Sequence, residues 1–154
     1  MTLPTPVIGV DPGGTTGIAL RVPSGTWELV QATRGAVLPI VRAMLHTYDY
    51  RAVIAVEQFV VGPRAARSST PEAGRTARDL IGALQSLGFE LDLRVALRSA
   101  SQVKPWATDK RLQAAGVPDI PKMRDARDAA RHALFCATAD CGLPDPLSKR
   151  GTRP

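Results

Sequence analysis

Cysteine and aromatic residues are scarce in this chain of 154 residues, and long apolar runs are missing. The two cysteines, Cys136 and Cys141, lie five apart near the end of one predicted helix. On a helix that spacing turns the two side chains away from each other, which disfavours a disulfide. Two thiols without a second pair of ligands do not make a zinc site. They read as reduced packing residues of a cytoplasmic protein. Aromatics supply only 5% of the chain, so Val, Leu, Ile and Ala must fill the core. No stretch approaches the roughly twenty apolar residues of a membrane-spanning helix. The start, MTLPTPVIGV, lacks the basic segment and long apolar segment of a secretory signal. Acids are also in deficit. Fourteen Asp and Glu face twenty Lys and Arg, for a net charge of +6 and a pI near 10.0. Sixteen of the twenty are Arg, the side chain suited to bidentate phosphate contact. Such a balance suits a polyanionic partner.

What is present is the pattern of one α/β domain, since the length allows one core rather than two. Val7 to Val10 and Gly17 to Val22 are β-rich runs around a Gly-rich turn. After the turn signal Pro23-Ser24-Gly25, Trp27 to Ala32 makes a third strand, giving an antiparallel meander. Ala36 to Tyr48 has helical spacing. Arg51 to Val56 is a nearly continuous apolar run, as in a central strand buried on both faces. A helix is predicted from Pro71 to about Leu87, stopped by Gly88, then a strand over Leu91 to Leu97. Ser99 caps a short turn that Pro105 disturbs. A helix over Thr108 to Ala115 ends at Gly116, and a last one covers about Lys122 to Cys141. The order predicts a mixed sheet with helices on both faces.

Against this basic background, four acids stand out. Asp11 ends the first strand in VIGVDPGGTTGIAL, where glycines let a backbone or a phosphate come close. Glu57 ends the apolar run AVIAVE. Asp125 and Asp128 lie three apart in MRDARDAARHAL, and His132 shares their helical stripe, a place from which it could orient a ligating carboxylate. Ala126, Ala129, Ala130, Ala133 and Ala137 occupy the opposite side, permitting close packing on a sheet. Each acid has a plainer account: a chain-reversing Asp-Pro-Gly turn for Asp11, a strand-end Glu for Glu57, and for Asp125 and Asp128 favourable charge near a helix start, balanced by Arg124, Arg127 and Arg131 on a solvated face. Together they make a carboxylate cluster that is costly without a compensating cation. Divalent ions compensate it and do chemistry on a phosphodiester. Mg²⁺ prefers such oxygen ligands. Two ions about 4 Å apart can activate a water and stabilise a leaving 3′ oxygen. A metal-dependent nuclease is the leading reading.

IGVDPGGTTGIAL, VEQF and RDARDAARHAL, in this order and spacing, resemble the RuvC family of Holliday junction resolvases, within the RNase H-like superfamily. The resemblance spans about residues 7 to 141 and is similar to a compact bacteriophage-type member. It implies an RNase H-like five-stranded mixed sheet flanked by helices and a nuclease domain over residues 1–144; residues 145–154 read by themselves as a basic, flexible tail. It further implies a homodimer that cuts a four-way DNA junction symmetrically. Asp11, Glu57, Asp125 and Asp128 match the family's metal-binding catalytic acids, with two Mg²⁺ ions per site, for which Mn²⁺ can substitute. Members often carry, three residues after the glutamate, an aromatic that stacks near the junction centre; the DNA-contact candidate here, Phe59, stands two after it, and alternation turns it to the other face. Lys104 and Lys110 are the best matches to basic residues near the scissile phosphate. Arg64, Arg67, Arg75 and Arg78 flank the loop after Glu57 and are candidates for gripping DNA phosphates.

Other functions fit parts of the pattern. Asp11 to Thr16 also resembles the phosphate loop of sugar kinases and actin-like ATPases, but those need two lobes and this chain has room for one. A nuclease acting on forks, flaps or RNA would carry the same acids. A non-catalytic DNA-binding domain would not, since four acids without metals repel phosphate.

Overall fold

The computed structural model describes residues 4–60 and 70–148. Strand β1 (Val7–Asp11) pairs antiparallel with β2 (Thr16–Arg21), and β2 with β3 (Trp27–Ala32), forming the predicted meander. Helix α1 (Arg34–Thr47) returns the chain to β4 (Val53–Glu57), which runs parallel to β1. Helix α2 (Pro71–Glu90) leads to β5 (Val95–Arg98), parallel to β4. The sheet order is β3-β2-β1-β4-β5. Two short helices, α3 (Ala100–Val103) and α4 (Asp109–Ala114), precede the long α5 (Arg124–Ala139).

Strand alternation sends side chains to two separate cores. Ile8, Val10, Ile18, Leu20, Ile54 and Val56 meet α1 and α2 on one face. Val7, Ala19 and Ala55 meet the alanine stripe and Leu134 of α5 on the other. Both faces are covered, which is why β4 reads as a continuous apolar run.

Helix α5 lies unusually close to the sheet because two glycines make room. A Cβ on Gly9 would sit 2.0 Å from the Ala129 carbonyl oxygen, and one on Gly17 would sit 1.9 Å from that of Asp125.

Several boundaries differ from those read in the sequence. Gly88 does not stop α2. It is buried inside the helix, where a Cβ would lie 2.4 Å from Val95 Cγ2, so its role is close packing on β5. The reversal falls instead at Asp92, at φ 53°. The last helix is shorter than expected at both ends, closing at Ala139, with Gly142 in the left-handed region at φ 75°. Cys141 therefore lies beyond the helix, and the spacing rule that separated it from Cys136 does not apply. Both thiols are free. Burial pushes the Cys136 thiol up to about 12, with the Asp140 contact adding to it. Asp145 is tied to the domain, because Arg111 donates to it at 3.0 and 2.9 Å. Among the described residues, no helix is long and apolar enough to cross a membrane.

Candidate active site

Parallel pairing of β1 with β4 places Val10 opposite Val56, so Asp11 and Glu57 emerge side by side at the carboxyl ends of neighbouring strands. Such ends are where open α/β sheets place their ligand sites. Helix α5 then crosses above them. Gly17 pairs with Asp11 across the β1–β2 ladder, and its missing side chain lets the first turn of α5 descend onto that point. The acids of α5 reach the sheet edge for this reason.

The start of α5 is held by a strand rather than by its own cap. Met123, at the N-cap position, makes no side-chain cap bond. Gln31 of β3 accepts from the backbone N–H of Asp125 at 3.0 Å and of Ala126 at 3.4 Å. Its amide also donates to the Lys122 carbonyl at 3.1 Å. Gln31 thus sets where Asp125 stands.

Two acids have defined partners. His132, 2% exposed, places Nε2 3.0 Å from Glu57 Oε2. Asp128 is flanked by two cations. Lys104 donates to its Oδ2 at 3.0 Å, and Arg131 donates to its Oδ1 at 3.2 Å. Arg131 is itself anchored by Asp109 and by the Ala107 carbonyl.

The electrostatics centre on Asp11. Burial pushes its carboxyl from 3.8 up to about 8, and the charges of Glu57 and Asp128 push the same way. Asp125 adds the weakest of these effects, and Lys104 opposes them. Burial alone would lower the Lys104 ammonium, but its hydrogen bond to Asp128 and the field of Asp128, Glu57 and Asp11 outweigh this and hold it above its usual range. The cluster carries more negative charge than its own cations offset. Among the described residues, no three Asp, Glu, His or Cys side chains already converge as a ready ligand set.

The other predicted residues separate into groups. Phe59 packs over Gly74 of α2, where a Cβ would come within 2.9 Å of its ring, and the Arg78 guanidinium lies 5.5 Å from the ring centroid. Arg75 and Arg78 are exposed on α2, and Lys110 is exposed on α4. Among the described residues, Lys104 alone of the predicted basic residues reaches the acids. Arg64 and Arg67 lie outside the described residues.

Sequence reasoning missed Gln31, Arg131 and Gly17. Nothing local marks Gln31, whose partners lie at the start of α5. Arg131 stands three residues after Asp128 on the same helix, a pairing distance, but its other partners, Asp109 and Ala107, lie elsewhere. Gly17 carried a signal, being a glycine inside a strand, which often marks close backbone approach.

His132 offers a direct test of the brace on Glu57. His132→Leu fills similar space without a ring nitrogen, leaving one Glu57 oxygen unpartnered. Outer-shell partners of this kind are typically worth about 10–100-fold in activity or metal affinity. A loss of that size is expected, with secondary structure retained by circular dichroism. An unchanged turnover would make the contact purely structural.

A five-stranded mixed sheet with acids at the ends of β1 and β4 and a helix bearing more acids above them defines an RNase H-like fold. Solved structures share it, among them two of RuvC. One is RuvC of Thermus thermophilus in complex with a Holliday junction substrate, at TM-score 0.63 and 21% identity, covering 89% of this chain and 97% of that one. The other is Thermus thermophilus RuvC, at TM-score 0.61 and 20% identity, covering 89% and 98%. At this identity the likeness establishes the fold. No protein-family model matches the sequence. No curated protein matches it either.

Proposed function

We propose that this chain is a metal-dependent DNA endonuclease that resolves four-way junctions by paired phosphodiester hydrolysis, acting as a homodimer. The observation that carries the reading is Asp11, held half-buried beside Glu57 and Asp128, so that its carboxyl is pushed up to about 8. Carboxyls with strongly raised pKa values cluster at functional sites. The likeness to a RuvC bound to a Holliday junction supports branched DNA as substrate. The net charge of +6 suits it as well. The cytoplasm of a bacterial or phage-infected cell is the expected setting.

The donor set fits Mg²⁺, which takes carboxylate oxygens, and the ammonium of Lys104 already stands among these acids as a cation does. Asp11, Glu57, Asp125 and Asp128 would hold the ions. Two bound Mg²⁺ would acidify a water and neutralise charge on the phosphate and the leaving 3′ oxygen. The water oxygen bonds to phosphorus as the P–O3′ bond breaks, and the 3′ oxygen takes up a proton, with no covalent enzyme intermediate. His132 keeps Glu57 oriented through Nε2. Arg131 and Gln31 fix the α5 turn that carries Asp128 and Asp125. Exposed Arg75 and Arg78 offer charge to the DNA backbone, where contacts position rather than specify.

Cleavage of a synthetic four-way junction, beside linear duplex, fork, flap and RNA-containing duplex of matched sequence, tests this. Paired symmetric nicks confined to the junction, lost in EDTA, are expected. Cutting of forks, flaps or RNA with the junction spared would retain the nuclease and refute resolution. No cleavage of any substrate under Mg²⁺ or Mn²⁺ would refute both.

A further inference from the structure

The two cations on Asp128 are not equivalent. Arg131 is 15% exposed and holds Asp109 and the Ala107 carbonyl as well as Asp128, so it is fixed in place. Lys104 stands at the end of α3 with its side chain 42% exposed, and Asp128 is its one ion-pair partner among the described residues. A lysine ammonium on a flexible stem can swing away without moving the backbone, giving up only its contact with Asp128, whereas a guanidinium locked by several bonds cannot. Between them the two occupy both Asp128 oxygens. Glu57, on the other side, is engaged by His132. Asp128 is therefore drawn toward a cation the protein itself supplies.

We propose that Lys104 is a tethered counter-ion that competes with divalent metal for the acidic cluster and must swing off Asp128 when metal loads. This rests on the metal-dependent reading above. The lysine neutralises part of the acid repulsion in the metal-free protein and lowers apparent metal affinity, because a ligand that displaces an internal partner binds more weakly by the cost of that displacement. Once displaced, the ammonium is free at the edge of the site, beside the acids and exposed to solvent.

Calorimetric titration of Mg²⁺ and of Ca²⁺ into the full chain without DNA tests this, comparing wild type with Lys104→Met, Lys104→Arg and Lys110→Met. Lys104→Met is expected to bind either ion roughly tenfold tighter, the scale of one nearby charge removed. Lys104→Arg, which keeps the charge, and Lys110→Met, which removes a charge away from the cluster, should stay near wild-type affinity. Wild-type binding with Lys104→Met no tighter overturns the counter-ion while leaving the metal-dependent reading intact. Equal tightening by Lys110→Met also overturns it, by reducing the effect to net charge. Absence of binding by both wild type and Lys104→Met refutes the metal reading and this proposal together.

Discussion

Asp11→Asn is expected to abolish cleavage while making the metal-free protein more stable. On the proposed metal-dependent mechanism the loss of activity should reach at least about 10³-fold, since a neutral amide would not replace a metal-holding carboxylate. The gain in stability follows from the raised pKa. Asp11 titrates near 3.8 in the unfolded chain and near 8 in the folded one. Below that window both states hold the proton and Asp11 costs nothing. Within it the unfolded state has released the proton while the folded state keeps it, so wild-type stability falls as pH rises. Above it the full penalty remains. Each unit corresponds to about 1.4 kcal/mol, and relaxation and solvent reduce the total. Asn carries no such penalty. At pH 8 in EDTA the variant should therefore melt at least roughly 5 °C above wild type, given about 2–4 °C per kcal/mol for a chain of this size. The gap should shrink steadily toward pH 4. Adding Mg²⁺ should narrow it at pH 8 by stabilising wild type alone. A variant that is inactive but no more stable at pH 8 would mean that Asp11 is not under the strain its surroundings imply.

Gly9→Ala should be among the most damaging small substitutions in the chain. The added Cβ would sit 2.0 Å from the Ala129 carbonyl oxygen and 3.0 Å from the Ala133 Cβ. The first of these is backbone, so no rotamer change relieves the clash. Helix α5 must lift from the sheet, opening the core formed by Val7, Ala19, Ala55 and the alanine stripe. Overpacking of this kind costs about 1–3 kcal/mol and sometimes more. A rigid backbone contact places Gly9→Ala at or above the top of that range, about 3 kcal/mol. Urea unfolding followed by circular dichroism measures it. The same displacement moves Asp128 away from Asp11, so activity should fall further than stability explains. By contrast Gly82→Ala, on α2 where a Cβ meets nothing within 4 Å, should be neutral or mildly stabilising. Equal effects from the two would show that the sheet tolerates a raised helix.

The amino-acid sequence by itself determined the elements and set four acids apart. Period-two and period-3.6 hydrophobicity marked three strands, a helix, a buried strand and the later helices, because burial of one face imposes those repeats. The run AVIAVE declared a strand covered on both sides, and the alanines of α5 declared a close contact. The acids at 11, 57, 125 and 128 stood out because carboxylates beside apolar runs are costly, and that cost is local enough to read. Helix ends were less legible. Gly88 carries the same residue type as a stop signal, yet its missing side chain serves Val95 across the core. Only the tertiary structure decided the pairings beyond the meander. The partnership of β1 with β4, which makes neighbours of Asp11 and Glu57, joins residues separated by the whole meander and α1. Gln31 reaches α5 from β3, His132 reaches Glu57, and Lys104 rather than Lys110 reaches Asp128. These contacts depend on where backbones converge in space, a distance that no local periodicity encodes.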